Sequence, residues 1–179
     1  MRLCTFRKCG VCNVSSNTKI KKLYSSKNII KYKQQLATMF INDERIVQLI
    51  NNKEVKSPEE LMYKNIFPFI RIPEAPDEQL SYLCYRVYMP QVVSSNMFFQ
   101  KLVIEIYAIS HQGEMVTEEG ATRIDLLAEE IENLLNYSTE FGKKPLELMS
   151  NIEDGCATNH RCRILRYETE DVDPCVLMK

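Results

Sequence analysis

An α+β body carrying a basic N-terminal arm is the architecture that this sequence predicts, and three observations lead to it. Segments 80–89 and 98–109 alternate apolar with polar residues, the period of two that a half-buried strand requires. Segment 118–136 places Ile124, Leu127, Ala128, Ile131, Leu134 and Leu135 at the spacing of one helical face. Charge is divided along the chain: residues 1–39 hold nine Lys or Arg and no acid, while 40–179 hold the other 14 basic residues and all 24 acids. Charges of +9 and −10 thus hide inside a net charge of −1 and separate an arm, 1–39, from a body, 40–179.

The arm is rich in Cys and Lys. Its stretch 13–33 mixes Ser, Asn and Lys with scattered Ile, Leu and Tyr, and reads as an extended arm or a weak basic helix. The Ser25-Ser26 pair interrupts the apolar stripe that a helix lying on a membrane would need. A solvated terminus is the plain reading of such a tail. The sharper one is an arm that docks on something negative: nucleic acid, a membrane surface or an acidic neighbouring subunit. Lys19, Lys21, Lys22, Lys27, Lys31 and Lys33 would supply the charge. Exposed ion pairs contribute only about 0–1 kcal/mol each, so Ile29, Ile30 and Leu36 would have to serve as apolar anchors.

The body begins near Met39. Asn42 or Asp43 can cap a helix with Ile46, Leu49 and Ile50 on one face. Ser57-Pro58-Glu59-Glu60 has the form of a capping box with Pro at the first helical position, which predicts a second short helix ending before Pro68. Three prolines in 67–79 forbid a helix there and predict an extended crossing loop. Leu83, Tyr85, Val87 and Met89 then mark a strand, which Pro90 stops. In the second strand Phe98, Leu102, Ile104, Ile106 and Ala108 share one face, with Lys101 and Glu105 on the other. The long helix follows, with Glu118 and Glu119 expected in its first turn. Its outer face carries Asp125, Glu129, Glu130 and Glu132. After Phe141-Gly142, the alternation of Leu146, Leu148 and Ile152 predicts a third strand, and 161–169 a fourth.

The expected fold is therefore a four-stranded, mainly antiparallel sheet (β-β-α-β-β). One long amphipathic helix lies on a face, and two short N-terminal helices and the arm precede it. One helix covers only one face of such a sheet. The other must be solvated, covered by the N-terminal helices or buried by another subunit, which gives the body a motive to oligomerise.

Membrane-spanning chemistry has no support, because the longest apolar run is about four residues (Ile106 to Ile109) against the roughly 20 that a span needs. No apolar core follows the basic start, so no secretory signal is expected. Seven cysteines in such a chain read as free thiols in a reducing compartment. Their spacing invites a zinc hypothesis. Cys4, Cys9 and Cys12 form C-x4-C-x2-C, and Cys156, His160 and Cys162 form a second cluster. A tetrahedral site needs four ligands at one point, so Cys9, Cys12, Cys156, His160 and Cys162 would serve only if the clusters meet in space. Cysteine as a small buried hydrophobe is the plainer reading, above all for Cys84 within a strand. There is no phosphate-cradling glycine motif and no nucleophile motif around His111 or His160. The expectation is a protein with no catalytic residues and no cofactor. Phe6, Tyr24 and Tyr32 among the arm's lysines could stack on unpaired bases, which makes a nucleic-acid-binding module with a basic arm the alternative.

Three stretches of the body resemble a known family. These are Asp43-Glu44-Arg45-Ile46-Val47-Gln48-Leu49-Ile50, then Tyr63-Lys64-Asn65-Ile66-Phe67-Pro68 leading to Ile72-Pro73 and Ser81-Tyr82, and the strand Leu102–Ile109 followed by the helix Arg123–Asn136. In order and texture, residues from about Asp43 to Asp173 resemble the neck and tail-completion proteins of tailed bacteriophages, in particular the tail-terminator type. The resemblance implies a structural virion protein that forms a ring, expected to be a hexamer, at the head–tail junction. It would cap the tail tube and dock to the head connector or stopper, while DNA passes through the lumen without specific readout. Its implied place is the virion neck, and the host cytoplasm during assembly. Residues 1–40 fall outside the likeness, and their cysteines depart from the family.

Overall fold

Residues 25–71, 80–90 and 99–172 are described by a computed structural model. Ser25–Asn42 forms helix α1. Asp43 breaks it and caps α2, Glu44–Ile50, by accepting from the Ile46 amide at 2.8 Å. Asn51, at φ 51°, ends α2 in the left-handed region that Asn tolerates. The expected second short helix is a single 3-10 turn, Pro58–Leu61, and Ser57 makes no side-chain cap bond to it.

Ile66–Phe67 is strand β1, Ser81–Tyr88 is β2 and Phe99–His111 is β3. Helix α3, Arg123–Leu135, starts later than the sequence suggests: Glu118 and Glu119 lie in the turn before it. Thr122 begins the helix. Its Oγ1 accepts from the Asp125 amide at 3.2 Å and donates to the Asp125 carboxylate at 2.5 Å, so each residue holds the other. Glu147–Ala157 is β4 and His160–Val172 is β5, joined by a tight turn in which Asn159 takes φ 63°.

The strand order is β1-β2-β3-β5-β4. Every pairing is antiparallel except that of β1 with β2, which is parallel. Among the described residues the sheet therefore has five strands, not four. The extra strand is two residues long, too short to leave a periodic trace in the sequence. A second correction concerns the third expected strand. A bulge between Leu148 and Ser150 shifts the register, so Leu148 lies opposite Tyr167 on one face and Ile152 opposite Ile164 on the other. Leu146, Leu148 and Ile152 thus do not share a face, and Ile152 is exposed.

The three α-helices of the described residues pack on the same side of the sheet. Tyr32, Leu36 and Phe40 of α1, Ile46 and Ile50 of α2, and Leu127, Ile131 and Leu135 of α3 join one cluster. It rests on Leu83 and Tyr85 of β2, the even residues from Leu102 to Ala108 of β3, and Leu165 and Tyr167 of β5. Arg123 locks α3 to α2 by donating to the Leu49 carbonyl at 2.7 Å, near the end of α2 where carbonyls lack helical partners.

Residues 25–39, expected in the arm, are helical. Leu36 is fully buried in its own chain's core, and Ile29 packs against it, so neither is free to anchor on a neighbour. Tyr32 is likewise held, donating to Asp171 at 2.7 Å and lying 5.9 Å from the Phe141 ring. Its residues 29, 32, 36 and 40 follow one helical stripe, which the polar composition around them masks. Next to Phe141, Gly142 lies so close to β5 that a Cβ would meet the Glu170 carbonyl at 2.8 Å, which explains the glycine.

Candidate functional site

The side of the sheet away from the helices is the surface with the most organised chemistry. Strand alternation sends the even residues of β2, the odd residues of β3 and the even residues of β5 there. Register then builds rows across the strands. One row is Tyr82, Ile109, Cys162 and Asp154. A second is Cys84, Tyr107, Ile164 and Ile152. A third is Arg86, Glu105, Arg166 and Ser150, and a fourth is Tyr88, Val103, Glu168 and Glu147. The first two rows are largely apolar, and residues 67–71 fold over their β2 end. There Phe67 and Ile70 pack against Tyr82 and Cys84, and the Cys84 thiol reaches the Arg71 carbonyl at 3.5 Å. Among the described residues, no helix packs against this face.

The third and fourth rows are polar and tightly bonded. Glu105 accepts from Arg86 Nε at 2.6 Å, from the Tyr88 hydroxyl at 2.6 Å and from the Tyr107 hydroxyl at 3.3 Å. Glu168 accepts from Arg166 at 2.9 Å and pairs with Lys101. The Arg86 guanidinium also lies 5.1 Å from the centre of the Tyr88 ring. Burial opposes the charge on Glu105, but the bonds from Tyr88 and Arg86 outweigh it and hold the carboxyl below the usual carboxylate range. Glu168 is lowered in the same way, burial being outweighed by Lys101 and Arg166. Burial, then the bond to Glu105, pushes the Tyr88 hydroxyl up.

Exposure is unequal within these pairs. The side chains of Arg86, Lys101 and Arg166 are 49%, 47% and 42% exposed, against 8% for Glu105 and 10% for Glu168. The carboxylates sit beneath and orient the cations, and solvent meets the cations. Lys101 and Glu105 lie on this face as the alternation predicts, and Arg86 and Tyr88, which bond Glu105, and Arg166, which bonds Glu168, complete it. The signal was present in the alternation: counting in twos from Tyr82 and from Cys162 brings Arg86, Tyr88 and Arg166 to the same side.

The cysteine candidates divide. Cys4, Cys9 and Cys12 lie outside the described residues, as do Lys19, Lys21 and Lys22. Cys156, His160 and Cys162 flank the β4–β5 turn, where the two cysteines meet and the histidine faces elsewhere. The Cys162 thiol hydrogen-bonds the Cys156 thiol, which lowers the pKa of Cys156 and raises that of Cys162. The His160 ring is buried, with Nδ1 3.1 Å from the Thr158 carbonyl, and it packs edge-on against His111 at 5.1 Å. The thiol and the imidazole thus have other partners than each other. Among the described residues, no group of three or more His, Cys, Asp or Glu side chains is placed to hold a metal ion. Cys84 is fully buried, as expected for a small apolar residue, and burial raises its thiol to about 11.

The remaining arm candidates lie on α1. Lys27 and Lys31 are exposed, Ile30 is 57% exposed, and Lys33 donates to the Pro68 carbonyl at 2.7 Å. No helix among the described residues is long and apolar enough to cross a membrane.

A family model described as YomW matches residues 34–169, from within α1 to near the end of β5. No curated protein matches the chain.

Proposed function

The chain belongs to the YomW family, which is phage-derived, and from that premise we propose that it is a structural protein of the phage head–tail junction. It is of the tail-terminator or tail-completion type: copies close into a ring that caps the tail tube and meets the head connector, with DNA passing through the lumen unread. One observation carries the reading. Among the described residues, helices cover one side of the sheet only, and the other side displays half-exposed charged side chains held in place by buried partners. A subunit that repeats around an axis can bury those half-exposed cations against a neighbour.

Removing the protein from its phage tests this. Particles lacking it should accumulate as filled heads and unjoined tails of irregular length in electron micrographs, and supplying the protein should restore joined virions. Normal virions without it would overturn the proposal. The alternative, a nucleic-acid-binding module using the basic arm, predicts that the purified chain binds DNA with an affinity falling steeply with salt and lost on removing residues 1–24.

A further inference from the structure

Two patches of opposite charge lie on opposite sides of the sheet. On the helix-free side, Arg86, Lys101 and Arg166 of β2, β3 and β5 present half-exposed cations above buried carboxylates, while the exposed Glu147 and Asp154 of the same side lie on the edge strand β4. On the helix side, Asp125, Glu129 and Glu132 follow one stripe of α3, at the spacing that places them on a single face. That stripe runs beside β4. Asn151 donates to Glu132 at 2.6 Å, and Arg163 pairs with Asp125 and, at 3.7 Å, with Glu153. Of these four carboxylates, Asp125 and Glu153 pair with Arg163 and Glu132 accepts from Asn151. Glu129 is exposed, and the Glu153 side chain is 56% exposed.

We propose that the cationic sheet face formed by Arg86, Lys101 and Arg166 docks onto the acidic stripe of α3 and β4 in a second copy of this chain. The inference rests on the ring reading above and assigns its contact. Charge complementarity selects the occupant, because each copy carries both the cationic face and the surface that matches it. The patches are different and lie on opposite sides, so the contact is heterologous. It leaves one free patch of each kind at the ends of any open chain, and such contacts close into rings or run on as filaments. A contact between two identical faces would instead bring Arg86 and Arg166 against their own copies and stop at a dimer. The fixed cations lose little freedom on docking, since Glu105 and Glu168 already hold them.

The test uses the full chain and two double variants, Arg86→Glu with Arg166→Glu and Glu129→Lys with Glu153→Lys. Assembly is read by light scattering and negative-stain microscopy, with folding checked by circular dichroism. Each variant alone should need at least tenfold more protein than the parent to assemble. An equal mixture should regain assembly, since the reversed face of one variant meets the reversed stripe of the other. The second variant alters only exposed carboxylates, so it decides the matter even where the first fails to fold. Parent-like assembly of the Glu129→Lys, Glu153→Lys variant overturns the assigned contact and leaves the ring reading standing. A parent chain that stays monomeric overturns both. A monomeric parent whose DNA binding is lost in the arginine variant would give the cationic face to nucleic acid and also overturn the proposal.

Discussion

Arg86 and Glu105 lie directly opposite each other on β2 and β3, and the guanidinium Nε donates to the carboxylate at 2.6 Å. The pair is lopsided: the carboxylate is almost wholly buried while the guanidinium stands half in solvent. Desolvating a carboxylate is costly unless donors surround it, and three do here. What solvent sees of this pair is its positive half, oriented from below, and the account of docking follows from that.

Removing the buried carboxylate should loosen the face. Glu105→Ala leaves Tyr88 and Arg86 without their shared acceptor, and a loss of about 1–3 kcal/mol is expected, read as a lower midpoint in urea. A variant as stable as the parent would show that the network does not support the fold.

Stability should also depend on acid in a defined direction. Glu105 and Glu168 titrate below their ordinary values in the folded chain. The stability they contribute is therefore complete above the unfolded carboxylate pKa of about 4.3 and is lost as pH falls through the lowered folded values. Melting temperature should drop on acidification below that point, and Glu105→Gln should flatten the drop. An unchanged profile in that variant would remove Glu105 from the explanation.

Among the cysteines of the described residues, alkylation should be selective. The Cys162 thiol hydrogen-bonds Cys156 and lowers its pKa, and Cys156 is only half buried, whereas Cys84 and Cys162 are buried and raised. Iodoacetamide at neutral pH should modify Cys156 before the other two, as peptide mass spectrometry would report. Earlier modification of Cys84 or Cys162 would contradict this.

The boundary between arm and body should fall before α1. Leu36 is fully buried, so Leu36→Ala is expected to cost about 2–5 kcal/mol. Removing residues 1–38 should unfold the body by taking Tyr32 and Leu36 from the core. Removing only 1–24 should leave the thermal transition close to that of the parent. A folded body after the longer deletion would restore the arm as a separate unit.

Much of this fold is written in the periodicity of the sequence. Strands β2 and β3, helix α2 with a cap at Asn42 or Asp43, and the apolar face of α3 follow directly from spacing. What escaped has physical causes. A two-residue strand cannot show a period, and a bulge moved Ile152 to the opposite face from Leu148. In α1 the stripe of Ile29, Tyr32, Leu36 and Phe40 was diluted by Lys, Asn and Gln, and the charge division drew the boundary through the helix. The rows of the sheet face were legible one strand at a time. That Glu105 meets Arg86 and not another cation is set by register, which depends on pairing and lies outside any single segment.

The most direct test of the central claim, that identical copies bury the helix-free face by closing on one another, is negative-stain microscopy of the purified full chain. Closed rings with a central opening are the predicted result. Uniform monomers or dimers at every concentration reached would contradict it.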